Sequence, residues 1–271
     1  MDGKGPEFGE LCASIPWPGG VQLMLVERPH RGAAHLNQVR NNGLRALQDT
    51  LCPQDEDLTL IIDGDMVLAA DAIARHASAA ADVILGSRAD LNPNQTEQLS
   101  AALHGGERDR AEQIISEAWS AHVPEARARQ RRLERQLRLR RVPVLSRLLV
   151  KAHKPKLLGG HHAVRWSMLE RVNGYDERFV GYGFDDDDLA RRLYAAGASV
   201  CVLVDAIPAV HLYHPTRAPG RPGEAPGYAR FCQPWSVRAE MGLDRPDEQP
   251  DPALSIIRRA GSASTIDARP T

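Results

Sequence analysis

Four consecutive carboxylates, Asp185-Asp186-Asp187-Asp188, follow the glycine-rich stretch Gly181-Tyr182-Gly183-Phe184. They precede Leu189, Leu193 and Ala196, which share one helical face. Like charges this close raise one another's pKa, so the run costs stability unless a cation, a sugar hydroxyl or solvent offsets it. A second acidic signal lies upstream, where Leu58-Thr59-Leu60-Ile61-Ile62 reads as a buried strand ending in Asp63-Gly64-Asp65. Carboxylates two residues apart at a strand end, with glycine between, can both turn toward one hard cation. The two signals point to a metal-dependent site at the carboxyl edge of an α/β sheet.

The elements that must position these groups are legible as periodic segments. Val21 to Val26 reads as a strand, and Leu36, Val39, Gly43, Leu44 and Leu47 recur at helical spacing over 33–49. After the strand at 58–62, residues 69–81 read as a helix with Asp71 near its start, and 82–87 as another buried strand. This alternation predicts a mainly parallel sheet. Residues 96–142 read as helical and polar, with Pro143 ending or kinking the last part and few inward contacts, Leu133 and Leu137 among them. A short helical segment at 163–172, a glycine C-cap at Gly197 and a strand at 199–205 follow.

Composition sets the outer limits. The chain has 271 residues, room for one large domain or two small ones, with 42% hydrophobic and 25% charged residues. No apolar run of transmembrane length is present, and the N-terminus lacks a signal-peptide pattern, so a cytoplasmic protein is expected. Cys12, Cys52, Cys201 and Cys232 show no metal spacing and read as free thiols. The net charge of -1 hides an uneven distribution: residues 127–156 hold nine Arg and three Lys against Glu134 alone. Low aromatic content and the absence of a recognised motif argue against nucleic acid. The basic run reads either as a solvated helix face or as peripheral contact with an anionic membrane surface or a lipid-phosphate acceptor. Residues 1–20 read as an irregular start or tag remnant. From Pro215 onward nine prolines crowd 57 residues, so 217–271 is expected to be a tail, extended or disordered beyond about Trp235.

Two stretches carry a family resemblance. Asp63-Gly64-Asp65 after an apolar strand resembles the DxD motif of GT-A glycosyltransferases. VNGYDERFVGYGFDDDDLARRL, starting at Val172, resembles the NGYDExFxGWGxEDxDLxxRL signature of family 2 and related bacterial surface-polysaccharide and chondroitin-type sugar transferases. The segment His211-Leu212-Tyr213-His214-Pro215 resembles the one that closes such domains, and Arg40-Asn41-Asn42-Gly43-Leu44 the helix after their third strand. The resemblance covers 21–216 and implies a Rossmann-like GT-A domain, with 97–156 as a basic helical insertion. Against the family pattern the first two strands are missing, together with much of the nucleoside pocket.

The resemblance also implies an activity. A nucleotide-sugar, a UDP-sugar by default, would donate to a glycan or lipid-linked acceptor in surface-polysaccharide synthesis, with inversion. Mn2+ or Mg2+ would neutralise the diphosphate leaving group. Asp65 would hold the ion, with Asp63 through water or ribose, and His211, in preference to His214, would complete the shell. Asp186 maps to the acceptor-activating base or, alternatively, a helix cap. Asp185 stands where the family has Glu, with a shorter reach toward the acceptor. Arg40 falls with the donor-binding residues. Gly159-Gly160 reads either as a plain turn or as a close approach to the sugar. Tyr182 or Trp166 is a candidate stacking platform or a core residue, and Asp187 and Asp188 are helix N-terminal residues favoured by the dipole. His161 and His162 have no assigned role. Two other readings stay open: a non-catalytic or truncated GT-A-like domain that binds glycan or a partner, and a phosphoryl or nucleotidyl enzyme using the same DxD edge.

Overall fold

The computed structural model describes residues 20–29, 32–215 and 221–258, the backbone of 267–269, and residues 10, 12 and 14. The expected irregular start at 1–20 lies almost wholly outside the described residues. The chain divides into two compact units. One comprises 1–53, 173–185 and 221–271; the other comprises 54–172 and 186–220.

In the first unit, β1 (Leu23–Glu27) pairs antiparallel with β9 (Ala253–Arg258), matching Leu25 with Ser255, and β10 (Asp267–Arg269) flanks β9. The C-terminal residues therefore do not form a separate tail. Ala253-Leu254-Ser255-Ile256-Ile257 is a β-rich run that gives β1 its partner, and proline density before it outweighed that signal in the sequence. Helix α1 (Leu36–Leu51) ends at Cys52, whose φ is 48°. Its buried face holds Asn37, Gln38, Asn41 and Asn42 beside Leu44 and Ala46, while Leu36 is exposed. An apolar stripe was expected there; an amide platform is found.

The second unit carries two sheets. The larger contains β2 (Leu58–Ile62), β6 (His161–Arg165), β4 (Val83–Leu85) and β7 (Val200–Val202), hydrogen-bonded in that order. Only β4–β7 is parallel; β6 is antiparallel to both β2 and β4. The sheet is therefore mixed rather than mostly parallel. The strand–helix–strand alternation does run β2 and β4 in one direction, but β6 returns from a long helical excursion and inserts between them. Nothing in the local periodicity of 58–87 could announce that insertion.

The smaller sheet orders β3 (Met66–Leu68), β8 (Ala209–His211) and β5 (Ala89–Asp90). Residues 66–68 form a strand, and the helix expected over 69–81 is confined to α2 (Ala72–Ala77). Helix α3 (Pro93–His104) opens with a capping box between Asn92 and Gln95 and with proline at its first position. Gly106, at φ 71°, separates it from α4 (Arg108–Arg140). Pro143 starts a new short helix, α5 (Pro143–Leu149), rather than kinking the old one.

Helix α4 is no appendage. Ala111, Ile114, Ile115, Ala118, Trp119 and Ala126 pack with Leu99 of α3 and with Ala89 and Val210 of the smaller sheet. Burial of six such side chains favours docking by several kcal/mol, at roughly 1–3 kcal/mol for each large one. Helix α6 (Trp166–Val172) and helix α7 (Asp185–Ala195, starting at the unit boundary) follow β6 in the chain. Leu189, Ala190 and Leu193 of α7 are fully buried. Gly197, at φ 90°, terminates α7 as expected, with its N–H on Tyr194 O and that of Ala198 on Leu193 O.

Candidate metal and acid site

The register of β3 against β8 builds the first cluster. Met66 lies opposite His211, and the Leu212 N–H donates to Asp65 O at 2.9 Å. Asp65, one residue before β3, thus meets the end of β8 and the His211–Pro215 segment. Asp65, His211 and His214 form a three-residue group whose potential ligand atoms all lie within 4.8 Å of one another. His211 Nε2 and His214 Nε2 each approach Asp65 Oδ2 at 3.2 Å.

His211 Nδ1 lies 3.1 Å from Asp90 Oδ1, because β5 sets Asp90 opposite His211. A neutral His211 that donates its Nδ1–H to Asp90 turns the lone pair of Nε2 toward a carboxylate oxygen. A cation between them removes that repulsion, and a carboxylate behind the ring is the usual support for a metal-ligating histidine. Asp65 Oδ1 is buried with no hydrogen-bond partner among the described residues. The donor set of one carboxylate and two imidazoles suits Mn2+ or a similar ion, which would act there as a Lewis acid on an anionic leaving group.

Asp63 is not in this cluster. Its carboxylate sits against Gly160, whose φ is 79° and where any Cβ would collide with Asp63 Oδ2. The Asp63 N–H donates to Gly160 O at 3.2 Å, and Arg88 Nη1 stands 3.9 Å from Asp63 Oδ2. Gly160 is therefore a required glycine, and it positions an acid. The neighbouring Gly159 faces Asp186: a Cβ there would lie 2.5 Å from Asp186 Oδ2. The Gly159-Gly160 turn thus carries Asp186 on one residue and Asp63 on the next.

The acidic run divides by direction, since successive helical residues point about 100° apart. Asp187 is buried and pairs with Lys156 Nζ at 3.0 Å. Asp188, also buried, accepts from Arg191 at 2.6 Å and from Arg192 at 2.7 Å. Both carboxylates hold partners more specific than the helix dipole. Asp186 is half-buried.

Arg40 and Asp185 lie in the first unit and pair with each other at 2.5 Å, with Arg40 also 5.0 Å over the Tyr175 ring. Around them, α1 fixes the Asn173–Arg178 loop. Asn37 donates to Asp176 O at 2.8 Å, and Asn41 to Tyr175 O at 2.8 Å and to Glu177 Oε1 at 2.9 Å. Asp176 is buried, which raises its pKa, but hydrogen bonds from Arg178 and Arg230 outweigh burial and hold it below the usual value. The conspicuous residues of this loop are thus scaffold.

Trp166 is 2% exposed, a core residue rather than a sugar platform, while Tyr182 is 40% exposed. His161 Nε2 lies 3.0 Å from His76 Nε2, and its Nδ1 lies 2.6 Å from Ser87 O. Burial, then repulsion from His161, lowers the His76 pKa to about 4. Burial also lowers that of His161, against the Ser87 hydrogen bond. His162 Nδ1 lies 3.1 Å from Leu158 O and is buried. Sequence reasoning missed Asp90, Arg88 and His76; none belongs to a motif, and only strand pairing brings them in.

Residues 138–215 match the family described as the N-terminal domain of galactosyltransferase. The matched stretch runs through Gly159-Gly160, the acidic run and both histidines, and covers less than a third of the chain. It supports a glycosyltransferase domain, and hence a transferase. Comparison with curated proteins found no match to the chain.

Proposed function

We propose that the protein is a metal-dependent, inverting glycosyltransferase that moves a sugar from a nucleotide-sugar, a UDP-sugar by preference, to a glycan or lipid-linked acceptor in surface-polysaccharide synthesis. The observation that carries this reading is the convergence of Asp65, His211 and His214, with Asp90 behind His211. Asp65, His211 and His214 would hold Mn2+ or Mg2+, which would supply charge neutralisation at the departing diphosphate. Asp63, turned by Gly160 and near Arg88, is placed to meet the ribose or the donor sugar. Asp186, set against Gly159, accepts the proton of the acceptor hydroxyl as its oxygen attacks the anomeric carbon. The bond to the diphosphate breaks on the opposite face, so the anomeric centre inverts.

The basic segment fits work at a cytoplasmic membrane surface. Val144, Leu148 and Leu149 of α5 are exposed, beside exposed Arg131, Arg135, Arg138 and Arg141. Among the described residues no helix is long and apolar enough to cross a membrane, so such contact would be peripheral.

Calorimetric titration with UDP, GDP and CDP, each with and without Mn2+, tests the reading. Mn2+-dependent binding of one nucleotide, lost in Asp65→Ala, is expected. Binding of none by the folded protein refutes the donor assignment and leaves a glycan- or partner-binding domain. Release of pyrophosphate instead of nucleoside diphosphate during turnover refutes glycosyl transfer.

A further inference from the structure

Beside the Gly159-Gly160 turn lies a cavity of about 390 Å³ whose lining comes from three segments: the one that follows β4, helix α4, and residues 156–161. Three cations line it, Arg88, Arg129 and Lys156, together with Ser87, His122 and two carboxylates, Asp90 and Glu125, the latter 3.6 Å from His122 Nδ1. Arg88 is answered by Asp90 at 3.3 Å and Lys156 by Asp187 at 3.0 Å. Arg129 has no ion pair or hydrogen bond among the described residues, although it is only partly exposed. Burial, ahead of repulsion from Arg132, lowers its pKa; Glu125 and Asp90 act in the other direction without reversing the shift. Ser87 Oγ and His122 Nε2 are buried with no hydrogen-bond partner among the described residues. A half-buried guanidinium and two unanswered polar atoms around one cavity make a site whose missing member is an anion.

The position of the cavity says which substrate brings that anion. It includes Gly159, the residue against Asp186, and leaves out Gly160, the residue against Asp63. Neither Asp186 nor any of Asp63, Asp65, His211 and His214 lines it, although Arg88 and Asp90, which do, also approach Asp63 and His211. A ligand here touches Gly159, the residue against Asp186, where an acceptor hydroxyl would be activated.

We propose that this cavity recognises a phosphate or carboxylate carried by the acceptor, with Arg129 as its principal contact and His122 and Ser87 as further hydrogen-bonding groups. The inference rests on the glycosyltransferase reading only for the word acceptor; the anion subsite stands on its own geometry. It also gives α4 a role beyond packing, since Trp119 and Ala126 dock the helix while His122, Glu125 and Arg129 turn toward the cavity.

The test uses the full chain with glucose 1-phosphate and glucuronate as anionic probes and glucose as the neutral control. Each is titrated calorimetrically, without nucleotide and then with saturating UDP and Mn2+. At least one anionic probe is expected to bind in both conditions, and glucose weakly or not at all. Arg129→Gln should weaken the anionic probe by about tenfold or more, the order of one lost charge-assisted hydrogen bond. Arg129→Lys should retain part of the affinity. Arg127→Gln, an exposed charge on the same helix, should change nothing, and circular dichroism establishes that each variant is folded. Equal binding by Arg129→Gln, or equal loss in Arg127→Gln, overturns the subsite. Displacement of the probe by UDP and Mn2+ assigns the cavity to the donor diphosphate and overturns the acceptor assignment. If UDP does not bind but the probe remains Arg129-dependent, the subsite holds and the donor reading alone fails.

Discussion

Asp186 and Asp188 stand two residues apart in the same acidic run, and conversion of each to asparagine should produce opposite phenotypes. Asp188 is 2% exposed and holds two guanidinia, Arg191 at 2.6 Å and Arg192 at 2.7 Å, both themselves buried. Asparagine there keeps the shape and one carbonyl acceptor but removes the charge, which leaves two buried cations facing a neutral amide. Removal of one member of a buried ion pair costs about 3–5 kcal/mol, because the remaining charge is desolvated without compensation. The retained carbonyl places Asp188→Asn near the lower end, at about 3 kcal/mol. At roughly 2–4 °C per kcal/mol for a domain of 150–250 residues, the midpoint of thermal unfolding should fall by about 6–12 °C.

Asp186 is more exposed than Asp188, half-buried and set against Gly159, so Asp186→Asn should lower the midpoint by less than Asp188→Asn does. Asp186→Asn should keep nucleotide and Mn2+ binding yet lose transfer by about 100-fold or more, as expected on removal of a general base. Thermal unfolding followed by circular dichroism, with transfer assayed well below both midpoints, reads the two effects separately. An Asp188→Asn midpoint within about 1 °C of the parent would refute the ion-pair argument. Near-parental transfer by Asp186→Asn would end the base assignment.

Three further outcomes follow from other contacts. Asp90→Asn should weaken Mn2+ affinity by about 10–100-fold without touching a ligand, since it removes the carboxylate behind His211; unchanged affinity in a metal titration would show that the ring is held otherwise. Stability should decline as pH falls from about 6.5 toward 4: the unfolded chain protonates His76 near its ordinary value, while the folded chain resists until about 4. Denaturant melts at several pH values should show this slope in the parent and a shallower one in His76→Gln; identical slopes would dismiss the buried histidine as its source. The protein should sediment with vesicles containing anionic phospholipid and not with neutral ones, and Leu148→Ser with Leu149→Ser should reduce that binding severalfold; binding insensitive to these residues would leave only diffuse charge attraction.

The parts of the site that reside in local sequence were legible. Asp63-Gly64-Asp65 does end a strand, the His211–Pro215 segment does return to Asp65, and Gly197 does cap α7, because each depends on a few neighbouring residues. The failures share one physical origin, long-range pairing. The sequence of β6 does not state that it will insert between β2 and β4. Nor do the prolines after Pro215 announce that residues 253–258 supply a partner for β1. Asp90 enters the site only because β5 and β8 run side by side, a fact with no signature in a two-residue strand. Arg40, which the resemblance groups with the donor-binding residues, pairs with Asp185 and lies over the Tyr175 ring.

The acidic run shows why composition alone misleads about chemistry. Four aspartates in a row call for a cation, a sugar hydroxyl or solvent to offset their charge, but a helix sends them in different directions. Asp185 meets Arg40, Asp187 meets Lys156, and Asp188 meets Arg191 and Arg192. Asp187 and Asp188 thus fix α7 to its own unit, while Asp185 pairs within the first unit. Asp186, between these pairs, lies against Gly159, a glycine that leaves room for it. A base must be held still and yet be reachable. The same run would meet both needs, because Asp187 and Asp188 hold the backbone of α7 while Asp186 stays half-buried against Gly159.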